Sequence, residues 1–307
     1  MRNFKVQILN LRFMVAVGWA VPTLLLVLML CGCTKKSEPV DTSQAENTQM
    51  RIISMAPNLT EILFALGLDD EIVGITKDST YPEKAKTKTC VGTFWQPDIE
   101  AVLMCRPTLV LTLGFEQQAT LAHRLEKIGC ETLSLNIESI ADLYEAVSII
   151  ASKVNKSEQA KKLVLAIQNK QKELTERYAS SDKIKVLWVV QRQPLRVAGT
   201  KTFANELIEI AGGVNAIGET INVYPPIGNE EFIGSMPDII IEPAMDTKQI
   251  QTQKATAKEF YRRFSMVPAV ANDRIYIIDG DLASRLGPRL AEAMQKVAGC
   301  LWPEGEE

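Results

Sequence analysis

From Arg51 onward, short apolar runs alternate with stretches whose apolar positions recur every three or four residues. Runs of the first kind fit buried strands, and stretches of the second fit amphipathic helices. Strands are predicted at 51–55, 71–77, 108–113, 132–136, 185–191, 238–243 and 274–279. Helices are predicted at 60–67, 97–105, 117–129, 138–154, 157–179, 201–213, 230–235, 254–267 and 288–302. Asn58 with Glu61 reads as an N-cap pair for the first helix, which Gly67 stops. Pro97 suits the first turn of the second helix, and the polar segment 80–89 reads as a loop. Strands that alternate with helices imply an α/β fold with mostly parallel sheets flanked by helices.

The segment 157–179 has no internal Gly or Pro and many strong helix formers. At 1.5 Å per residue it spans roughly 33 Å, longer than most connections inside an α/β domain. It suits a rigid bridge. The predicted organisation is an N-terminal lobe at 51–154, a linking helix at 155–180 and a C-terminal lobe at 181–307. A weak internal repeat supports two halves. Residues 100–111 read EAVLMCRPTLVL and residues 230–241 read EEFIGSMPDIII. Each has a Glu before an apolar helical turn, then Pro, then an apolar strand. Glu100 and Glu230 therefore hold equivalent places, although Glu at a helix start is also ordinary dipole chemistry.

The first segment differs in pattern. Arg2, Lys5 and Arg12 precede a largely apolar run from Phe13 to Leu30. A positive flank and an apolar centre are parts of a secretory signal. A run of roughly 18 residues is also long enough to cross a bilayer, so a permanent membrane anchor is the alternative. Pro22 breaks its middle, and Leu30-Cys31-Gly32-Cys33 resembles the bacterial lipobox. By that resemblance residues 1–32 are a signal peptide, Cys33 becomes the lipidated first residue, and 33–50 form a polar tether. Cys31 is the less suitable acceptor, because it follows Leu30 rather than a small residue. The expected location is outside the cytoplasmic membrane, anchored by lipid.

The whole chain carries 34 basic and 37 acidic residues, a net charge of −3. Loss of the three basic residues of the signal takes the body to −6. A mildly acidic body argues against nucleic acid as a partner. Cys90, Cys105, Cys130 and Cys300 remain, none in a CxxC pair. Disulfides are allowed outside the membrane, and four cysteines permit three full pairings; buried free thiols are the other reading.

Several segments together resemble a known family: RIISMAPNLTEILFALG (51–67), STYP (79–82), VGTFWQPDIEAVLMCRPTLVLT (91–112), MPDIIIEP (236–243) and ASRLGPRLAEAM (283–294). They are similar to the periplasmic cobalamin-, haem- and iron-siderophore-binding proteins of ABC importers, from about Arg51 to the C-terminus. The resemblance implies two α/β lobes joined by one long helix, with a ligand held in the cleft between them. It implies that one surface glutamate per lobe docks onto a permease dimer, and Glu100 and Glu230 match. It places Tyr81, Phe94 and Tyr224 at ligand-stacking positions, with Phe94 or its neighbour Trp95 facing the cleft. It matches Asp281 and Arg285 to polar cleft residues, though a structural salt bridge between them is equally open. It puts Ala211 and Ala298 where the cobalamin binder has a disulfide. The ligand implied is a corrinoid or a chelated iron. The protein itself needs no cofactor, and any cobalt or iron arrives inside the ligand.

Arg192, just past a predicted strand, is a weaker candidate for an anionic ligand group. His123 is the only histidine. A bare-metal receptor needs several His plus carboxylates, so no metal site is expected. GxSxG, HExxH and Gly-rich phosphate loops are all missing from the sequence, which argues against an enzyme. A sensor or scaffold lipoprotein of the same fold is the alternative, and an extracytoplasmic hydrolase a more distant one.

Overall fold

The computed structural model describes residues 50–244 and 246–303. The signal peptide, Cys33 and almost all of the tether lie outside the described residues.

Four strands build the first sheet: β1 (Ile52–Ser54), β2 (Ile72–Ile75), β3 (Leu109–Leu113) and β4 (Thr132–Leu135). All pairings are parallel, in the order β2-β1-β3-β4. Helices α1 (Pro57–Ala65), α2 (Ile99–Met104), α3 (Glu116–Lys127) and α4 (Ile140–Lys153) flank it. Central strands covered on both faces are mostly apolar rather than alternating, and β1 is buried at every position, Ser54 included. Ser139 and Asp142 form a reciprocal capping box at the start of α4.

One expected cap is absent. Helix α1 starts at Pro57, and Asn58 and Glu61 lie inside it. Pro at the first helical position lacks the N–H that a cap would satisfy. Asn58 instead donates to the Leu286 carbonyl at 3.3 Å, and Glu61 binds Arg289.

Helix α5 (Ser157–Arg177) follows and packs on both α4 and α11. Its buried residues Ala160, Ile167 and Leu174 fall two turns apart, on one stripe. The second sheet holds β5 (Lys185–Arg192), β6 (Leu195–Val197), β7 (Val214–Asn215), β8 (Ile239–Pro243) and β9 (Ile275–Ile278). Its order is β6-β5-β8-β9, with β7 parallel to β5 and only β6 antiparallel. Helices α6 (Phe203–Ile210), α7 (Asn229–Ser235), α8 (Ile250–Tyr261), α9 (Pro268–Ala271), α10 (Gly280–Ala283) and α11 (Leu290–Leu301) complete this half. One hydrophobic core runs from β1 through α5 to β5, β8 and α11.

The internal repeat is structural. Arg106 and Met236 hold the same place in the two sequences, and both are left-handed, with φ of 45° and 43°. Each precedes a proline that opens the way to a strand, β3 or β8. The next residue acts identically in both halves. Thr108 accepts the Arg51 N–H on its hydroxyl at 2.9 Å and donates its own N–H to the Arg51 carbonyl at 2.8 Å. Asp238 accepts the Lys185 N–H on its carboxylate at 2.8 Å and donates to the Lys185 carbonyl at 2.8 Å. Each pair pins the start of β3 or β8 to the start of the neighbouring strand. A left-handed non-glycine residue costs roughly 1–2 kcal/mol, so its use at matching positions marks one repeated motif.

All four described cysteines are free. Cys105 and Cys130 pack in one small apolar cluster, and burial raises both thiols above the usual range. Ala211 and Ala298 are fully buried.

Candidate functional site

Two adjoining cavities of about 640 and 510 Å³ share Pro57, Phe94, Phe203, Tyr224, Ser284 and Arg285. They are two halves of one cleft, walled by both sheets' flanking loops. The first sheet's half contributes the start of α1, the Phe94–Trp95 loop and Ile137–Glu138. The second contributes Trp188 and Val190 of β5, Phe203, Tyr224, and the segment from Gly280 to Leu286. Several of these residues follow the C-terminal ends of parallel strands, where open α/β sheets leave room for ligands.

The aromatic corner is built by a pinned loop. Gly92 has φ of 99°, and a Cβ there would lie 2.5 Å from the Gln96 carbonyl oxygen. The Asp78 carboxylate accepts the Phe94 N–H at 2.7 Å. Gln118, fully buried on α3, donates to the carbonyls of Met55 and Phe94 and accepts the Leu113 N–H. Phe94 and Trp95 meet edge to face at 4.8 Å, and Phe115 packs against both. Both Phe94 and Trp95 line the cleft, with Trp95 64% exposed. Such rings offer large contact area at low conformational cost.

Across the cleft Tyr224 presents its ring, its carbonyl held by Arg196 at 3.3 Å. Burial, with the Glu138 carboxylate nearby, pushes its phenol above the ordinary value, so it stays a neutral donor. Asp281 and Arg285 form an ion pair at 2.6 Å on the same wall. Arg285 also reaches the Asp78 carbonyl at 3.4 Å. Gly280 lets this segment approach β8, since a Cβ would sit 1.9 Å from the Ala244 oxygen.

Five of the six expected ligand residues therefore meet in one cleft. Tyr81 does not line either cavity. Its ring lies 4.1 Å from the Arg289 guanidinium in a cation–π contact. Arg192 is also committed elsewhere: its Nε donates to Glu242 at 2.8 Å, and Tyr261 donates to the same carboxylate at 2.6 Å. His123 is exposed on α3, away from the cavity lining. Among the described residues, no group of His, Cys, Asp and Glu is set to hold a metal ion.

Sequence reasoning missed Trp188, Phe203, Asp78 and Lys201, which also line the cleft. Trp188 sits inside an apolar strand and reads as core. Phe203 and Lys201 carry the one available signal, a loop-to-helix boundary. Glu100 and Glu230 are exposed in the first turns of α2 and α7.

Two α/β halves that share one core and face a common cleft define a ligand-binding class of protein. The chain belongs to the periplasmic binding protein family, whose model matches residues 52–282. It is 27% identical to the ABC transporter substrate-binding lipoprotein YvrC of Bacillus subtilis (strain 168), over 93% of this chain and 96% of that one. It is 25% identical to a vitamin B12-binding protein of Vibrio cholerae (strain ATCC 39315 / El Tor Inaba N16961), over 80% of this chain and 87% of that one. The structure of a possible iron-binding periplasmic solute-binding protein from Staphylococcus epidermidis ATCC 12228 superposes with a TM-score of 0.73. That protein is 26% identical, with 82% of this chain and 98% of that chain covered.

Proposed function

We propose that the cleft captures a corrinoid or a chelated iron and that the protein carries it to an ABC permease dimer. The observation that supports this most is the cleft's lining. Aromatic side chains from both halves face a space of drug-to-cofactor size, beside a charged pair suited to a polar edge. Similarity to a vitamin B12-binding protein and to a possible iron-binding protein supports this ligand class. Glu100 and Glu230 dock the loaded protein, one per half, in matching structural frames. Two carboxylates set in equivalent frames fix register and speed encounter with a basic partner. A lipid on Cys33 and a short polar tether keep the protein beside its permease, outside the cytoplasmic membrane.

The double variant E100A/E230A separates docking from capture. Ligand affinity is expected to stay within about twofold of the parent, while uptake by cells falls at least tenfold, about 1.4 kcal/mol of lost interaction. Normal uptake by the double variant would remove the docking assignment.

A further inference from the structure

The two halves of the cleft are joined on one side by a buried ion pair. Glu61, on α1, is 4% exposed. Arg289, at the start of α11, grips it with two hydrogen bonds. Its Nε donates to Oε2 at 2.9 Å and its Nη2 donates to Oε1 at 2.7 Å. Arg285 Nη1 approaches the same Oε1 at 3.8 Å and is buried without a hydrogen-bond partner. Beside them Asn58 donates to the Leu286 carbonyl at 3.3 Å, and the Tyr81 ring covers the Arg289 guanidinium. Every one of these links crosses from the first half of the chain to the second.

Two charges withdrawn from water are costly, and a well-packed apolar pair of similar volume is often as stable or more so. Stability therefore does not explain this pair. A two-pronged Arg–carboxylate contact supplies geometry, because the planar fork fixes both distance and angle. The geometry is transmitted directly to the ligand walls. Glu61 lies one turn along α1 from Pro57, and Arg289 lies just beyond Arg285. Pro57 and Arg285 line both halves of the cleft.

We infer that Glu61 and Arg289 are positioning residues of the ligand site: a clamp between the halves that sets the cleft's aperture. The inference rests on the proposed capture of a ligand only for its binding consequence. The aperture is measurable without one.

The test replaces the clamp by an apolar pair, E61M/R289M. Nitroxides on exposed Cys90 and on K248C, with C130S, report the distance between the halves by pulsed electron resonance. The parent is expected to give one narrow distance distribution, and the apolar variant one at least twice as wide, with an unchanged or higher Tm. R289K, which keeps the charge but not the fork, is expected to fall between them. Haemin, cyanocobalamin and a ferric siderophore serve as ligand probes, and whichever the parent binds is expected to leave the apolar variant at least tenfold faster. An unchanged distribution in E61M/R289M and R289K would overturn the clamp, whatever the Tm. If the parent binds none of the three probes, the proposed ligand class fails while the distance measurement still decides the clamp.

Discussion

Glu206 shows how one residue links burial, charge and pH. It lies on α6, where its carboxylate accepts the Ile140 N–H at the start of α4, 2.9 Å away. Burial raises its pKa above the ordinary carboxylate value, and Asp142 and Glu209 add like-charge repulsion. The folded protein thus holds this proton more tightly than the unfolded chain. Its stabilising share is complete below the unfolded value and is lost as pH rises through the folded one. The variant E206Q keeps an acceptor for Ile140 without the charge. Thermal melts are expected to show it more stable than the parent at pH 7. The gap is expected to close as pH falls into the ordinary carboxylate range. A constant gap across that range would show that the charge is not the cause. At this scale the sequence is a partial guide. Tyr81, a ligand candidate by resemblance, and Arg192, a weaker one by position, contact Arg289 and Glu242, which lie far from them in the chain. Nothing local to a residue announces such a partner.

Elements were more legible than residues. The apolar pattern located seven of the nine described strands and every described helix of two turns or more, because burial imposes its spacing on the sequence. The two-residue β7 and the four-residue α9 and α10 are too short to show a period, and β6 is set off from β5 by only Gln193 and Pro194. The repeat was visible as Glu, apolar turn, Pro and strand, but its physical content was not. Thr108 and Asp238 share no chemistry beyond a side-chain oxygen, yet they hold the same two backbone bonds. Urea denaturation of T108V and D238A is expected to show a loss of about 0.5–1.5 kcal/mol for the first. The second is expected to lose more, up to about 3 kcal/mol, because its acceptor is ionised. A smaller loss for D238A than for T108V would contradict this reading of the motif.

At the scale of the molecule, sheets that are parallel but for β6 follow from the alternation of strands and helices, whereas the cleft was expected only through the family resemblance. The long helix α5 belongs to both halves through α4, α6 and α11. The cleft's aromatic lining was half legible, and only through the family resemblance, which pointed to Phe94 or Trp95 and to Tyr224. Trp188 and Phe203 were not, because an aromatic within an apolar run reads as core. The central claim is that this cleft holds a flat, metal-containing ligand between rings from both halves. Calorimetric titration of the purified protein with cyanocobalamin, haemin and a ferric siderophore tests it directly, repeated with F94A and Y224A. One of the three is expected to bind with a stoichiometry of one or two. Each substitution is expected to weaken it about tenfold or more, the loss of about 1.4 kcal/mol of ring contact. No binding by any of the three, or binding that both substitutions leave unchanged, would contradict the account.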